Sequence, residues 1–104
     1  MLIQFNTSNQ VEGRDEFITP LHDMVEHALK RFSDRLSSVQ VHLDDENSHK
    51  GGGNDKRCMM EARVDNLKPV SVTVHADTYQ QAVKAASDKL KAALTSTFDK
   101  MRSY

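Results

Sequence analysis

The sequence predicts an α+β fold in the order β-α-β-β-β-α, a four-stranded mixed sheet with two helices packed on one face. Three observations lead there. Three separate segments alternate apolar and polar residues with a period of two, the pattern of strands with one buried and one wet face. Two other segments repeat apolar residues at spacings of three and four, so each forms a helix with one apolar stripe. A strand-helix-strand opening then favours a right-handed crossover that sets the first two strands parallel.

The first strand is short: Leu2, Ile3 and Phe5 are apolar, Gln4 and Asn6 polar, and the polar run Thr7-Ser8-Asn9-Gln10 closes it. In the first helix the stripe runs through Phe17, Leu21, Met24, Val25, Ala28, Leu29 and Phe32. Its start has two candidates. Thr19-Pro20 suits an N-cap and first helical residue, while Arg14-Asp15-Glu16-Phe17 is also helical in character and leaves Pro20 near the first turn. Lys30, Arg31 and Arg35 crowd the helix end, where cations suit the macrodipole.

In the next strands Val39, Val41 and Leu43 alternate with Gln40, His42 and Asp44; Cys58, Met60, Ala62 and Val64 with Arg57, Met59, Glu61 and Arg63; and Val70, Val72, Val74 and Ala76 with Ser71, Thr73 and His75. Asn66-Leu67-Lys68-Pro69 makes a short turn, so the last two strands pair as an antiparallel hairpin. The polar connection 46–55 is longer and is expected to be mobile. The final helix is marked by Tyr79, Ala82, Val83, Ala86, Leu90, Ala93, Leu94, Phe98 and Met101 over about seven turns. Asp77 and Gln80 stand three apart at its start, as in a capping box.

One hundred and four residues suit a single domain, 1–104, large enough to bury a core without staples. The lone cysteine, Cys58, excludes an intrachain disulfide and a four-cysteine zinc site. A reducing compartment follows as the simpler expectation. No apolar run approaches the ~20 residues of a membrane span. The N-terminus reads as a strand without a secretory signal, so a cytoplasmic location is expected.

Net charge is −1, yet the two halves differ sharply. Residues 1–49 carry four Lys/Arg against nine Asp/Glu, whereas residues 50–104 carry ten against six. Such asymmetry creates local basic surface that the total conceals.

The β-α-β-β-β-α order, with several short motifs, resembles the ribosome hibernation-promoting factors and the ribosome-associated inhibitor, sigma-54 modulation protein-like chains. The anchors are Asn9-x-Val11-Glu12, Phe32-Ser33-Asp34-Arg35-Leu36, Asp77-Thr78-Tyr79-x-x-Ala82-Val83, Asp88-Lys89-Leu90 and Asp99-Lys100. They are specific in combination and order, and they span nearly the whole chain. The chain ends after the last helix, as in the short form without a C-terminal dimerisation domain. The resemblance implies binding to the small ribosomal subunit and its rRNA in the decoding region, idling ribosomes under stress or in stationary phase. No carboxylate pair, triad or cofactor loop has the spacing of an active site, so no enzyme activity, cofactor or metal is expected, and no membrane, DNA or small-molecule partner. The chemistry needed is Lys and Arg placed against phosphates, with shape doing the rest.

Family members tend to be more basic. Ala92, Ser96 and Phe98 stand where basic residues are expected, and the first helix carries Asp15, Glu16, Asp23 and Glu26. The basic residues that remain suit the solvated face of an amphipathic helix as well as RNA contact. With the resemblance, Lys30, Arg31, Arg35, Lys84, Lys89 and Lys91 are the expected phosphate-binding surface. A protein-interaction or self-associating module of the same fold, using the acidic N-terminal half and the polar outer sheet face, is the alternative. A double-stranded-RNA-binding domain shares the dsRBD-like layout, but it opens its last helix with consecutive lysines where Tyr79-Gln80-Gln81 stand here.

Other motifs carry less. Gly51-Gly52-Gly53-Asn54-Asp55-Lys56 lacks the Gly-Lys-Ser/Thr ending of a phosphate-binding loop and opens no helix. His22 and His27 are five apart, not the four that would stack them on a helix, and a strand separates His42 from His75; His49 falls in the 46–55 connection. Cys58 is expected as a small core group. Met59, on the wet face between Arg57 and Arg63, is a candidate contact patch.

Overall fold

The computed structural model describes residues 1–8, 15–46 and 55–102. Its elements are β1 (Leu2–Thr7), α1 (Asp15–Leu29) running into a 3-10 turn (Lys30–Phe32), β2 (Leu36–Asp45), β3 (Lys56–Val64), β4 (Val70–Ala76) and α2 (Tyr79–Arg102). The strands lie in the order β1-β2-β3-β4, with β1 parallel to β2 and the other pairs antiparallel. The α+β order and mixed sheet expected from the sequence are both present.

Register explains the core. Ile3 sits opposite Val39 and Phe5 opposite Val41. Val41 faces Met60, and Leu43 faces Cys58. Met60 faces Val72, and Cys58 faces Val74. These residues therefore share one face, and the helices cover it: α2 packs on β3 and β4, α1 on β1 and α2. Leu21, Val25 and Leu29 from α1 and Val83, Leu90 and Leu94 from α2 are fully buried against it. Each such side chain contributes roughly 1.5–3 kcal/mol by leaving water, which is how an amphipathic stripe turns into a fixed helix position.

Three local features refine the sequence reading. Helix α1 is already helical at Asp15, so Thr19 is not its N-cap and Pro20 lies in the second turn. Proline removes the donor that Glu16 would otherwise receive, and both residues are exposed, so water reaches this side of the helix. At α2 the cap is Thr78 rather than Asp77. The Thr78 hydroxyl accepts from the Gln81 backbone N–H at 3.1 Å, and the Thr78 carbonyl accepts from Ala82. Thr78-x-x-Gln81 is the better capping sequence because the cap residue must reach the third backbone N–H of the helix. In the β3–β4 turn, Leu67 N–H donates to the Val64 carbonyl at 3.2 Å and Asn66 takes φ 65°, a left-handed position that asparagine tolerates.

The β2–β3 hairpin is clamped at its mouth. Glu46 N–H donates to the Asp55 carbonyl at 2.9 Å, and Lys56 bridges Asp45 at 3.0 Å and Asp55 at 3.4 Å. The Asp45 hydrogen bond, ahead of the other contributions, holds the Lys56 ammonium above the ordinary lysine range. Residues 47–54 of this connection, with the glycine run and His49, lie outside the described residues, as do Asn9, Val11 and Glu12.

Candidate nucleic-acid interface

The groove between the first helix with its 3-10 turn and α2 collects the cations. Its walls come from segments far apart in sequence, and three adjoining clefts mark its length. In the first, Met24, His27 and Ala28 face Lys84, Ser87, Asp88 and Lys91. In the second, Lys30, Arg31, Ser33 and Asp34 lie beside Lys91. In the third, Arg31, Phe32 and Arg35 face Thr95, Phe98 and Asp99. The outer surface of α2 continues through Lys91, Thr95, Asp99 and Lys100.

Helix geometry explains which lysines join. Lys84 and Lys91 are seven residues apart, so at about 100° per residue they differ by only ~20° around α2. Both flank buried Ser87 on the side facing α1. Lys89 lies ~140° round the helix from Lys84, on the opposite flank, and lines none of these clefts. The structure thus brings Lys30, Arg31, Arg35, Lys84 and Lys91 together and sets Lys89 apart. Lys100, outside the expected set, joins the outer end. The same rotation count sets Lys100 ~20° from Lys89 and ~180° from Lys91, so its place in a cleft with Lys91 is read from the structure and not from the count.

Several of these side chains are held. Arg31 donates from a guanidinium nitrogen to the Thr95 hydroxyl at 2.6 Å, and Thr95 donates in turn to the Lys91 carbonyl at 2.9 Å. The Arg31 guanidinium carbon lies 4.7 Å from the centre of the Phe32 ring, and that of Arg35 lies 4.0 Å from the centre of Phe98. Phe32 and Phe98 are themselves in contact, with centroids 5.6 Å apart. Phe98, expected from the sequence in the apolar stripe of α2 and at a place where a cation would suit the family, is the ring on which Arg35 rests.

Acids temper the groove. Lys84 pairs with Asp88 at 3.2 Å across one helical turn, both well exposed, so the pair is worth little in stability. Asp34 and Asp99 line the same walls. Five cations stand against three carboxylates along the three clefts of the groove, an excess of two. That is a local positive surface on a chain of net charge −1.

The remaining candidates are ordinary. Cys58 is fully buried, and burial pushes its thiol up to about 12, far from the thiolate a nucleophile needs. Strand β3 separates His42 from His75, and His75 contacts Glu46 at the hairpin mouth. His22, Asp23 and Glu26 each bring one ligand atom to within 4.8 Å of the others, a trio the histidine spacing alone did not reveal. Asp23 and Glu26 are exposed and His22 is half-buried, and exposed acidic groups are common without a metal. Met59 sits on the open sheet face, half-buried between cross-strand His42 and Thr73. No helix among the described residues is long and apolar enough to cross a membrane.

Fold and groove together define a small α+β protein that offers positive charge and aromatic-backed arginines between its two helices. The chain belongs to the sigma 54 modulation protein/S30EA ribosomal protein family, whose model matches residues 7–102. This is a family of ribosome-associated factors, not of enzymes. Among solved structures, a ribosomal subunit interface protein from Coxiella burnetii is 17% identical, with a TM-score of 0.72 over 95% of this chain and 99% of that one. The N-terminal domain of Thermus thermophilus Protein Y is 22% identical, with a TM-score of 0.64 over 89% and 94%. At these identities the likeness establishes a shared fold. No curated protein sequence matches the chain significantly.

Proposed function

We propose that this protein is a cytoplasmic translational regulator that binds rRNA of the small ribosomal subunit near the decoding region and idles ribosomes under stress or in stationary phase. One observation carries the reading: cations from the 3-10 turn, the turn before β2 and α2, remote in sequence, line three clefts that share lining residues. The groove works by neutralising phosphates and filling a channel, with no bond made or broken. Lys30, Arg31, Arg35, Lys84 and Lys91 supply the contacts. Displaced counterions give the binding its driving force and its sensitivity to salt. The rigid two-layer body supplies the shape that an RNA fold recognises.

The test is sedimentation of cell extract through a sucrose gradient, following the protein in free, subunit and whole-ribosome fractions. The intact protein is expected with small subunits and whole ribosomes. The double reversal Lys84→Glu/Lys91→Glu is expected to move it to the free fractions. Unchanged co-sedimentation of that variant contradicts the reading. Self-association that ignores salt would point instead to a protein-interaction module.

A further inference from the structure

Arg35 is exposed, yet its position is fixed from three sides. Its backbone N–H donates to the Phe32 carbonyl at 2.9 Å, and its own carbonyl accepts from Asp65 at 3.2 Å. Its guanidinium lies 4.0 Å from the Phe98 ring centre, with one nitrogen near the Met101 sulfur at 4.0 Å. Phe98 is buried and braced by Phe32, so the ring beneath the guanidinium is part of the core. The result is a guanidinium held over a core aromatic ring in the lining of a cleft of about 530 Å³, which Arg31, Thr95 and Asp99 also line. Contact with a phosphate alone does not call for this arrangement, since a lysine on a flexible stem serves as a point charge. A flat guanidinium already ordered on one face suits a second planar group on the other.

We infer that Arg35 on Phe98 is a stacking platform for one unpaired nucleobase, whose flanking phosphates lie against Arg31 and Lys91. Unpaired bases in RNA are commonly received on arginine planes and aromatic faces. The excess positive charge of the adjoining clefts matches the nucleotide's backbone, and the ordering of Arg35 before binding lowers the entropy lost on contact. The inference rests on the rRNA reading of the groove and narrows it. The occupant is a single-stranded nucleotide at the Arg35 end, not a continuous duplex.

The experiment measures fluorescence anisotropy of the full chain with an oligouridylate of about ten nucleotides, a length within single-strand site sizes. The comparison strand has the same sugar-phosphate backbone without bases. The intact protein is expected to bind the base-bearing strand about fivefold to a hundredfold more tightly, the range that stacking on one base supplies. Arg35→Lys keeps the charge and removes the plane; it is expected to erase that preference while leaving the salt dependence intact. Phe98→Leu keeps an apolar side chain under Arg35 and is expected to reduce the preference too. Because Arg35 is exposed, its variant reads the platform even if Phe98→Leu fails to fold. Salt-sensitive binding with no preference for bases, or a preference untouched by Arg35→Lys, overturns the platform alone. No binding to either strand overturns the groove reading and the platform with it.

Discussion

The guanidinium of Arg31 donates to the hydroxyl of Thr95 at 2.6 Å, joining residues sixty-four positions apart across the two helical segments. Thr95 in turn donates to the Lys91 carbonyl, so a single threonine registers one wall of the groove against the other. The bond lies in solvent, where such contacts contribute modestly. Thr95→Val, which keeps the volume and removes the hydroxyl, is predicted to lower unfolding free energy by less than about 1 kcal/mol in a urea titration. A loss above ~2 kcal/mol would mean that the contact does more than align the groove.

The cap on α2 makes a sharper stability prediction. Thr78→Ala removes the acceptor for the Gln81 N–H and is expected to cost about 1 kcal/mol, with Thr78→Ser recovering most of it. Urea denaturation of the two variants decides the matter. Equal stability of Thr78→Ala and the parent would contradict Thr78 as the cap.

Beneath the cap, Leu90 and Leu94 are wholly buried between α2 and the sheet. Leu90→Ala is predicted to cost ~2–5 kcal/mol through lost transfer energy and the cavity left behind. A cost below ~1 kcal/mol in the same titration would contradict tight packing of α2 on β3 and β4.

Cys58 sets a pH signature. Burial raises its thiol from 9.0 to about 12, with Arg57 opposing weakly. Below pH 9 the thiol is protonated in folded and unfolded chains alike, so stability is unaffected there. Between about 9 and 12 the unfolded chain releases a proton that the folded chain retains, and stability falls as pH rises, by up to ~1.4 kcal/mol per pH unit from this group. Comparison with Cys58→Ala isolates it: the parent is expected to lose stability more steeply over this window, and parallel slopes would contradict the assignment. At neutral pH a thiol reagent is expected to label Cys58 only on unfolding.

Much of this architecture was legible because strand burial has a period of two and helix burial a period near 3.6. Val39-Val41-Leu43 and Cys58-Met60-Ala62 fall on the inner face as their alternation requires, and the stripe of α2 is buried through Leu90, Leu94 and Phe98. The misplaced details are those set by backbone geometry. Asp77 and Thr78 are both good caps, and only the turn out of β4 decides which faces the first helical N–H groups. The register shift in β2 between Leu36 and Ser38 has no sequence signal. The groove was legible as a set of basic residues but not as a place. Counting rotation along α2 separates Lys89 from Lys84 and Lys91, whereas the pairing of Arg31 with Thr95 and Arg35 with Phe98 depends on how the helices cross.

Association with ribosomes is predicted to weaken steeply with salt. At about 0.7 per phosphate for single-stranded contacts, three to five phosphates give a log–log slope of roughly −2 to −4. Sedimentation across a salt series measures it. A slope near zero would exclude phosphate neutralisation as the source of affinity.

Position, not total charge, is proposed to make the binding surface. Lys91→Glu and Lys89→Glu change the net charge equally, but Lys91 lines the groove and Lys89 sits on the opposite flank of α2. Ribosome co-sedimentation of these two single variants, side by side at one salt concentration, is the most direct measurement. The account predicts that Lys91→Glu is released to the free fraction while Lys89→Glu stays with ribosomes. Equal release of both, or greater release of Lys89→Glu, would contradict it.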